Sequence, residues 1–307
     1  MADNEDRAGQ RVWQAVPPGT RDALAGLPST DLQTLLIDVA RARAGQVTPA
    51  GVLRRWQQDR FIRPAAADPR RVSAVEARLW HMLPTEFAGV ELSPVAPLGT
   101  CTAVAPLSQN RIVTTVRNTE VVSDSTNALA VEAAVRRRGQ PKDGRADLAA
   151  CQRLLRAQDF GPGAAAHFRL FALVSSARDT GSGRTEAGLV TRHLAYWLDV
   201  LDALIPGREP RIELSVFDNP VLAERLADTI RPGLAKHATF LIDKPERTRG
   251  RGYYRGFALR ITAEQDTVEL GDGGLTTWTA QLTQDAKERC LVSCIATERL
   301  TALCADG

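Results

Sequence analysis

The stretch from Thr248 to Arg299 constrains the fold most, because it combines a strand pattern with glycines and fixed positive charge. Apolar residues alternate at Phe257, Leu259 and Ile261, which predicts a β-strand with one buried face. Glycine-rich segments precede and follow this strand, where the backbone must turn tightly or approach another group closely. The arginines of the first segment suit an anionic ligand. A plain antiparallel hairpin with solvated arginines is the alternative.

The composition is that of an ordinary soluble globular protein with room for one large and one small domain. The chain has 307 residues, of which 44% are hydrophobic and 24% charged, as in typical globular domains. No apolar run approaches the roughly 20 residues that a membrane span needs. Residues 1–6 are polar and acidic, unlike a signal peptide, so we expect a cytoplasmic protein. The net charge of +3 is too small to imply nucleic-acid binding by the whole molecule.

The cysteines predict neither a disulfide framework nor a metal site. Their number is odd and their spacing is scattered, which fits neither paired cysteines nor the ligand spacing of zinc sites. We expect reduced, buried thiols and no metal bound by protein ligands alone. The five positions are Cys101, Cys151, Cys290, Cys294 and Cys304.

Residues 1–63 are predicted to form a small accessory unit of helices. Apolar residues recur there at helical spacing, and Thr48 followed by Pro49 is a typical helix start. Several arginines make the outer face basic. That face suits either a helix-turn-helix DNA reader or, as we prefer, the solvated side of an accessory bundle. A segment rich in alanine and proline, residues 64–71, is predicted to link this unit to the main domain, residues 72–307.

Two segments of the main domain have clear helix signals. The first is a helix that begins after Asp124, whose carboxylate can cap it, and ends at Gly139. Hydroxyl groups, an acid and free amides at its start form a pocket able to hold an ammonium or a carboxylate; an ordinary N-cap is the alternative. The second runs from 186 to 204 with a continuous apolar face. His193 lies on or beside that face and is interpreted as packed.

Residues 153–171 are predicted to form two antiparallel strands joined by a glycine-proline loop at residues 161–163. Arg156 lies on the first strand, and an arginine and an aromatic residue lie on the second. An arginine on a strand is usually solvated, so this hairpin alone does not identify a ligand.

Taken in order, these segments resemble the catalytic core of histidyl-tRNA synthetases, within the class II aminoacyl-tRNA synthetases. The resemblance covers roughly residues 72–300 and is strongest in the hairpin and the last fifty residues. Its motifs are Arg-Gly-x-x-Tyr-Tyr-x-Gly from Arg249, then Gly-Gly at Gly273, then an apolar strand that ends in Glu-Arg-Leu. The resemblance implies an α+β fold: a class II synthetase-type antiparallel sheet flanked by helices, here with a small N-terminal helical unit.

The resemblance also implies an ATP site with bound Mg²⁺. Arg156 falls on the arginine that grips the α-phosphate, Arg249 on the one that neutralises the reacting phosphate, and Arg299 on the one at the γ-phosphate. Phe171 falls on the aromatic that stacks on adenine. Two neighbours complete the implied ATP site, Gln158, which replaces the usual glutamate, and Arg169.

For the substrate, the resemblance implies a pocket that holds an amino acid. Asp124 falls on the acid that takes the substrate amino group, and the other implied contacts are a threonine, two tyrosines and a glycine pair: Thr126, Tyr253, Tyr254, Gly273 and Gly274. Because arginines bind phosphate oxygens in fixed planar geometry, positioning and positive charge can activate a carboxylate without a protein nucleophile.

The departures from the family pattern change the expected function. Ala296 replaces the glycine beside which ATP approaches, residues 172–175 lack polar side chains to read an imidazole, and no anticodon-binding domain follows. We therefore expect an adenylate-forming ligase, a homodimer, that activates an amino acid or related carboxylate and transfers it to a non-standard acceptor: a small molecule, a carrier protein or a tRNA. The alternative is a catalytically silent paralogue, similar to the regulatory subunit of ATP phosphoribosyltransferase. A nucleic-acid-binding protein ranks third.

Overall fold

The computed structural model describes residues 9–105, 107–158, 161 and 166–304. The chain divides into two compact units. The first holds the described residues up to Asp59 together with Thr114–Thr119, and the second holds Arg60–Val113 and the described residues from Glu120 onward. The assignment of residues 1–63 to an accessory domain and 72–307 to a catalytic domain stays a prediction.

The described part of the first unit includes the helices α1 (Thr20–Ala25), α2 (Ser29–Ala44) and α3 (Pro49–Gln58). The Thr48 hydroxyl accepts a hydrogen bond from the Gly51 amide at 3.1 Å, which confirms the predicted start of α3. None of the residues of these three helices is buried. Several large apolar side chains are therefore exposed, among them Trp56 at 52%.

The second unit is built on one eight-stranded sheet, in the order β1-β4-β5-β10-β9-β8-β6-β7. The six central strands, from β4 to β6, pair antiparallel, whereas the short edge strands β1 and β7 pair parallel. This confirms the predicted α+β fold with an antiparallel sheet. The strands are β1 (Ala88–Gly89), β4 (Arg145–Leu155), β5 (His167–Arg178), β6 (Arg211–Val216), β7 (Leu241–Asp243), β8 (Phe257–Ala263), β9 (Val268–Thr276) and β10 (Glu288–Ala296).

Two further strands, β2 (Val95–Pro97) and β3 (Thr119–Val121), form a separate small sheet. The alternating residues of this region suggest two short strands, at residues 112–116 and 120–123. No strand forms over residues 112–116 of this described segment, and only the second one forms, as β3. The linker expected over residues 64–71 is also shorter, because the Asp68 side chain accepts a hydrogen bond from the Arg70 amide at 2.9 Å. This cap starts helix α4 (Pro69–Met82) inside the predicted linker.

The hairpin of β4 and β5 confirms the strand pair predicted around residues 153–171. Eleven residue pairs align, from Arg145 opposite Ala177 to Leu155 opposite His167. Of the loop between these strands, residues 156–158, Gly161 and Ala166 are described, so the predicted glycine-proline turn at residues 161–163 lies mostly outside the described residues. β5 then pairs with β10 on its other side, which brings the middle and the end of the chain together at the centre of the sheet.

Helices cover both faces of this sheet. One face packs against α4, α7 (Arg184–Leu204) and α10 (Thr297–Leu303), with Trp197 and Phe171 fully buried in the core between them. α8 (Pro220–Arg225), which continues as a π-helix over Leu226–Ile230, joins the same face. The other face packs against α5 (Thr100–Val104), α6 (Ser125–Arg138) and α9 (Trp278–Thr283). The sheet thus separates two apolar cores.

Helix α7 carries a buried polar contact at the centre of the first core. His193 is fully buried; its Nε2 lies 2.9 Å from the Ser175 hydroxyl and its Nδ1 lies 2.8 Å from the Ser293 hydroxyl. Ser175 in turn donates a hydrogen bond to the Asp147 carboxylate at 2.5 Å. Burial lowers the pKa of His193 to about 3. The ring is therefore a neutral structural link between α7 and the sheet, as the sequence indicates.

No helix among the described residues combines the length and apolar character required to cross a lipid bilayer.

Candidate active site

Two adjoining cavities open on the face of the sheet that carries α6. One has a volume of about 610 Å³ and the other of about 450 Å³. Five residues line both: Arg156, Gln158, Arg249, Asp272 and Cys294. We call the larger the phosphate-side cavity and the smaller the tyrosine-side cavity, after the residues described next.

Arg156 lies at the junction of the two cavities, one residue beyond the end of β4. Its Nε donates a hydrogen bond to the Ser123 carbonyl at 2.7 Å, and one Nη lies 3.4 Å from the Asp124 carboxylate. The ring of Phe168 lies below the guanidinium, 5.1 Å from its carbon to the ring centroid. These contacts hold a fixed cation at the junction, with part of its donor set still directed to the cavity.

Arg249 and Arg299 line the phosphate-side cavity near one acid, Glu269. Arg249 pairs with the Glu269 carboxylate at 2.8 Å, and Arg299 donates to the Glu269 carbonyl at 2.8 Å. Burial opposes ionisation of Glu269, but the hydrogen bond from Arg260 and the charge of Arg249 outweigh it and lower the pKa of the carboxyl. Arg249 lies in the turn that precedes β8 and Arg299 lies on α10, so two different elements bring positive charge to this end of the site.

Asp124 lines the tyrosine-side cavity at the start of helix α6. Its Oδ1 accepts hydrogen bonds from the Thr126 amide at 2.9 Å and the Thr126 hydroxyl at 2.7 Å, which confirms the predicted cap. Its other oxygen faces Arg156. Thr126 is buried and lines neither cavity, so it orients Asp124 and is not brought to a ligand.

Tyr253 and Tyr254 also line the tyrosine-side cavity, as the sequence predicts. Their rings meet edge to face with centroids 4.9 Å apart, and Tyr253 meets Trp278 in the same way at 5.5 Å. Burial raises the pKa of both phenols well above their ordinary value. Both hydroxyls therefore stay protonated and can donate hydrogen bonds.

The structure does not bring Phe171 and Arg169 into the site. Phe171 is fully buried on the opposite face, between Trp80, Tyr196 and Trp197. The Arg169 guanidinium lies 2.6 Å from the Glu76 carboxylate on α4. Because side chains alternate along a strand, Phe168 and Leu170 face the phosphate-side cavity instead. The aromatic residue at the site is thus corrected from Phe171 to Phe168.

Gly273 and Gly274 line neither cavity, and their role is to permit close approach of other groups. A Cβ at Gly273 would come within 2.6 Å of the Ser293 Cβ, and one at Gly274 would come within 2.6 Å of the Tyr254 ring. Gly273 therefore allows β10 to approach closely, and Gly274 allows the Tyr254 ring to pack against β9. The expected contact of this glycine pair with the substrate is replaced by this supporting role.

Sequence reasoning missed three groups of the site: Asp272, Cys294 and Arg247. Asp272 and Cys294 are paired across β9 and β10, which places both side chains on the cavity face. The Cys294 Sγ lies 3.9 Å from an Asp272 oxygen, and burial, followed by the charges of Asp272 and Asp124, raises the pKa of this thiol well above its ordinary value. The one available signal was an acid directly before Gly-Gly within a strand pattern.

The acids of the site fit Mg²⁺ that enters with ATP better than a metal held by protein alone. Among the described residues, no group of three or more histidine, cysteine, aspartate or glutamate side chains could hold a metal ion. Glu269 and Glu298 line the phosphate-side cavity and could supply the few protein ligands that Mg²⁺ bound to phosphates needs.

The antiparallel sheet and its flanking helices have the fold of the class II aminoacyl-tRNA synthetase catalytic core. No protein-family model matches the chain, and no curated protein sequence does. Among solved structures, an ATP phosphoribosyltransferase regulatory subunit/histidyl-tRNA synthetase from Bacillus halodurans C superposes with a TM-score of 0.61 at 11% identity, over 79% of this chain and 82% of that one. A histidyl-tRNA synthetase from Nostoc superposes with a TM-score of 0.60 at 13% identity, over 80% and 74%.

A third similar structure is a histidine–tRNA ligase subunit from Alicyclobacillus acidocaldarius. Its TM-score is 0.57 at 13% identity, and the match covers 78% of this chain and 95% of that chain. At such low identity the likeness shows the fold. It confirms the histidyl-tRNA synthetase-like core that the sequence motifs predict.

Proposed function

We propose that this protein activates an amino acid with ATP, as an aminoacyl adenylate bound in the two adjoining cavities. The observation that carries the proposal is the set of arginines that two adjoining cavities share with a capped acid and two tyrosines. Arg156 and Arg249 line both cavities, Arg299 lines the phosphate-side cavity, and Asp124 and the two tyrosines line the tyrosine-side cavity. ATP needs the first environment and an α-ammonium group needs the second.

In the proposed reaction the substrate carboxylate attacks the α-phosphorus of ATP and pyrophosphate leaves. Negative charge grows on the phosphoryl oxygens during this step, so fixed cations are the main catalytic requirement. Arg156, at the junction of the cavities, is in position to contact both the carboxylate and the α-phosphate. Phe168 beside it offers a ring for the adenine, and Arg249 and Arg299 would bind the departing phosphates. Mg²⁺, when bound with ATP, supplies further charge neutralisation.

The expected acceptor of the acyl group is a small molecule, a carrier protein or an RNA outside ordinary tRNA charging. This part of the proposal rests on the departures from the family pattern. Ala296, which lines the phosphate-side cavity, favours the catalytically silent alternative instead. We also propose a homodimer, as in related synthetases, and a cytoplasmic location. Light scattering tests the dimer, and a monomeric mass across the working concentration range would contradict it.

The experiment that tests activation is ATP–pyrophosphate exchange with pools of amino acids and related carboxylates. Exchange that depends on one pool would support the proposal and begin to identify the substrate. An absence of exchange in every pool, with no rise in melting temperature on addition of ATP and Mg²⁺, would overturn it.

One observation favours a second candidate, a regulatory subunit without catalysis. Each site arginine already contacts a group of the chain itself: Arg156 meets Asp124, and Arg249 and Arg299 meet Glu269. The Bacillus halodurans protein with the same fold is named in part as a regulatory subunit. A stoichiometric complex with a phosphoribosyltransferase, together with silent exchange, would support this candidate over the first.

A further inference from the structure

Asp272 occupies a central place in the cleft. It lies in the middle of β9, opposite Arg260 on β8 and opposite Cys294 on β10. Its side chain lines both cavities, so a ligand that fills the cleft from one end to the other must pass it. The resemblance to synthetases assigns no role to this position, because its motif begins at the following glycine.

Asp272 also differs from the other acids of the cleft in having no partner cation. Asp124 faces Arg156 at 3.4 Å and caps α6, and Glu269 pairs with Arg249 and Arg260 at 2.8 and 2.9 Å. Across the described parts of the chain, Asp272 forms no ion pair. Its recorded hydrogen bond comes from the Cys294 thiol, a weak donor, at 3.9 Å. A largely enclosed carboxylate left in this state favours a cationic ligand.

The neighbouring carboxylates make a bound cation beside Asp272 more favourable. Burial raises the pKa of its carboxyl, and the charges of Asp124 and Glu269 raise it further, against the opposing effect of Arg247 and Arg249. A cation bound beside Asp272 would relieve this repulsion between carboxylates.

The other groups in the tyrosine-side cavity favour an organic cation over a metal ion. Cys294 is held as a neutral thiol, which makes it a poor metal ligand. The rings of Tyr253 and Tyr254 line the same cavity, and aromatic rings attract ammonium and guanidinium groups. At the same cavity, Nη1 of Arg247 is buried and has no hydrogen-bond partner within the described residues, so a carboxylate can bind there as well.

Resting on the proposed amino-acid activation, we propose that Asp272 is a specificity-determining residue that binds a second positive charge, on the side chain of the substrate. The substrate class is then an amino acid with a basic side chain. Asp124 takes its α-ammonium, Arg156 and Arg247 take its carboxylate, and Asp272 takes the side-chain cation.

Calorimetric titration of the full chain with matched pairs of amino acids tests this assignment. The pairs are arginine and citrulline, lysine and norleucine, and ornithine and norvaline, which have similar size but differ in side-chain charge. We expect one basic member to bind at least tenfold more tightly than its neutral partner. Equal or tighter binding of every neutral partner, or no binding of any basic member, would overturn the proposal.

Two substitutions test whether the preference for the basic amino acid depends on Asp272. Asp272→Asn keeps the shape and removes the charge, so the two members of the selective pair should bind equally, whereas Asp124→Asn should weaken both alike. If Asp272→Asn does not fold, Asp272→Ser provides the same test. A preference that persists in a folded Asp272 variant would overturn the role of this residue.

Pyrophosphate exchange with the same amino acids separates this inference from the proposed function. Exchange with neutral amino acids alone would leave activation standing and overturn the role of Asp272. A basic amino acid that binds selectively through Asp272 but supports no exchange would do the opposite: it would support Asp272 as the cation site and overturn activation.

Discussion

The ring of Tyr254 lies against the backbone of Gly274, where an added Cβ would meet two ring atoms at 2.6 Å and the Phe257 carbonyl oxygen at 2.5 Å. The carbonyl belongs to the neighbouring strand and cannot move without breaking the ladder of β8 and β9. Tyr254 therefore keeps its place in the tyrosine-side cavity only because residue 274 has no Cβ.

Gly274→Ala is expected to destabilise the protein and to displace Tyr254 from the cavity. Overpacking of this kind costs about 1–3 kcal/mol, and urea unfolding measures it. The matched control is Gly188→Ala, at an exposed position near the start of α7, where an added Cβ meets nothing within 4 Å. That change should stabilise by about 0.5–1 kcal/mol, since alanine is the better helix former. Equal effects of the two substitutions would contradict the steric role of Gly274.

Arg156→Lys is expected to lower amino-acid-dependent pyrophosphate exchange by about 10²–10³-fold, the usual effect of removing one donor from a developing oxyanion. Lysine keeps the charge but loses the planar fork that reaches Ser123 and the cavity together. Arg178→Lys serves as the control, because Arg178 lies on the same hairpin, pairs with Asp285 and lines neither cavity. Exchange by Arg156→Lys within threefold of the unaltered protein would exclude Arg156 from phosphate binding.

Most of the fold could be predicted from the sequence, because its signals are local. Alternating apolar residues predicted the long strands. The cap at Asp124 predicted α6, and the continuous apolar face predicted α7. The expected strand at residues 112–116 does not form, although its backbone meets β3 through two hydrogen bonds, between Thr115 and Thr119 at 2.9 Å and between Val121 and Val113 at 2.8 Å. Two bonds around a tight turn do not make a ladder.

The site was harder to predict because strand register decides which face a side chain occupies. Phe168 and Phe171 are three residues apart on β5 and therefore point to opposite sides of the sheet. Sequence resemblance selected Phe171, whereas pairing with β4 and β10 placed Phe168 at the cavity. Asp272 was missed for a similar reason: its significance depends on Cys294 and Asp124, which lie far from it in the chain.

His193→Gln is expected to reduce the pH dependence of stability. In the folded protein the pKa of His193 is lowered to about 3, below the ordinary value, so the unfolded chain binds a proton that the folded chain does not. The free energy of unfolding is therefore greatest above the pKa of the unfolded chain and decreases as the pH is lowered. The decrease is about 2 kcal/mol from about pH 7 to about pH 5. Urea unfolding of this variant should lack that loss. Exposed His81→Gln is the control and should retain it; an unchanged loss in His193→Gln would contradict the assignment.

Binding of a basic amino acid is expected to release protons from Asp272 under mildly acidic conditions. The pKa of this carboxyl is raised in the free protein, so part of the population is protonated as the pH falls, and a bound cation favours the carboxylate form. Affinity should therefore decrease as the pH is lowered through that range. The other charged groups that face Asp272 are Asp124, Arg156, Arg247, Arg249 and Glu269. Calorimetry at about pH 5 and about pH 8, in two buffers with different ionisation enthalpies, counts the protons released. Asp272→Asn should release fewer than the unaltered protein at the lower pH, and equal counts would place the titrating group elsewhere.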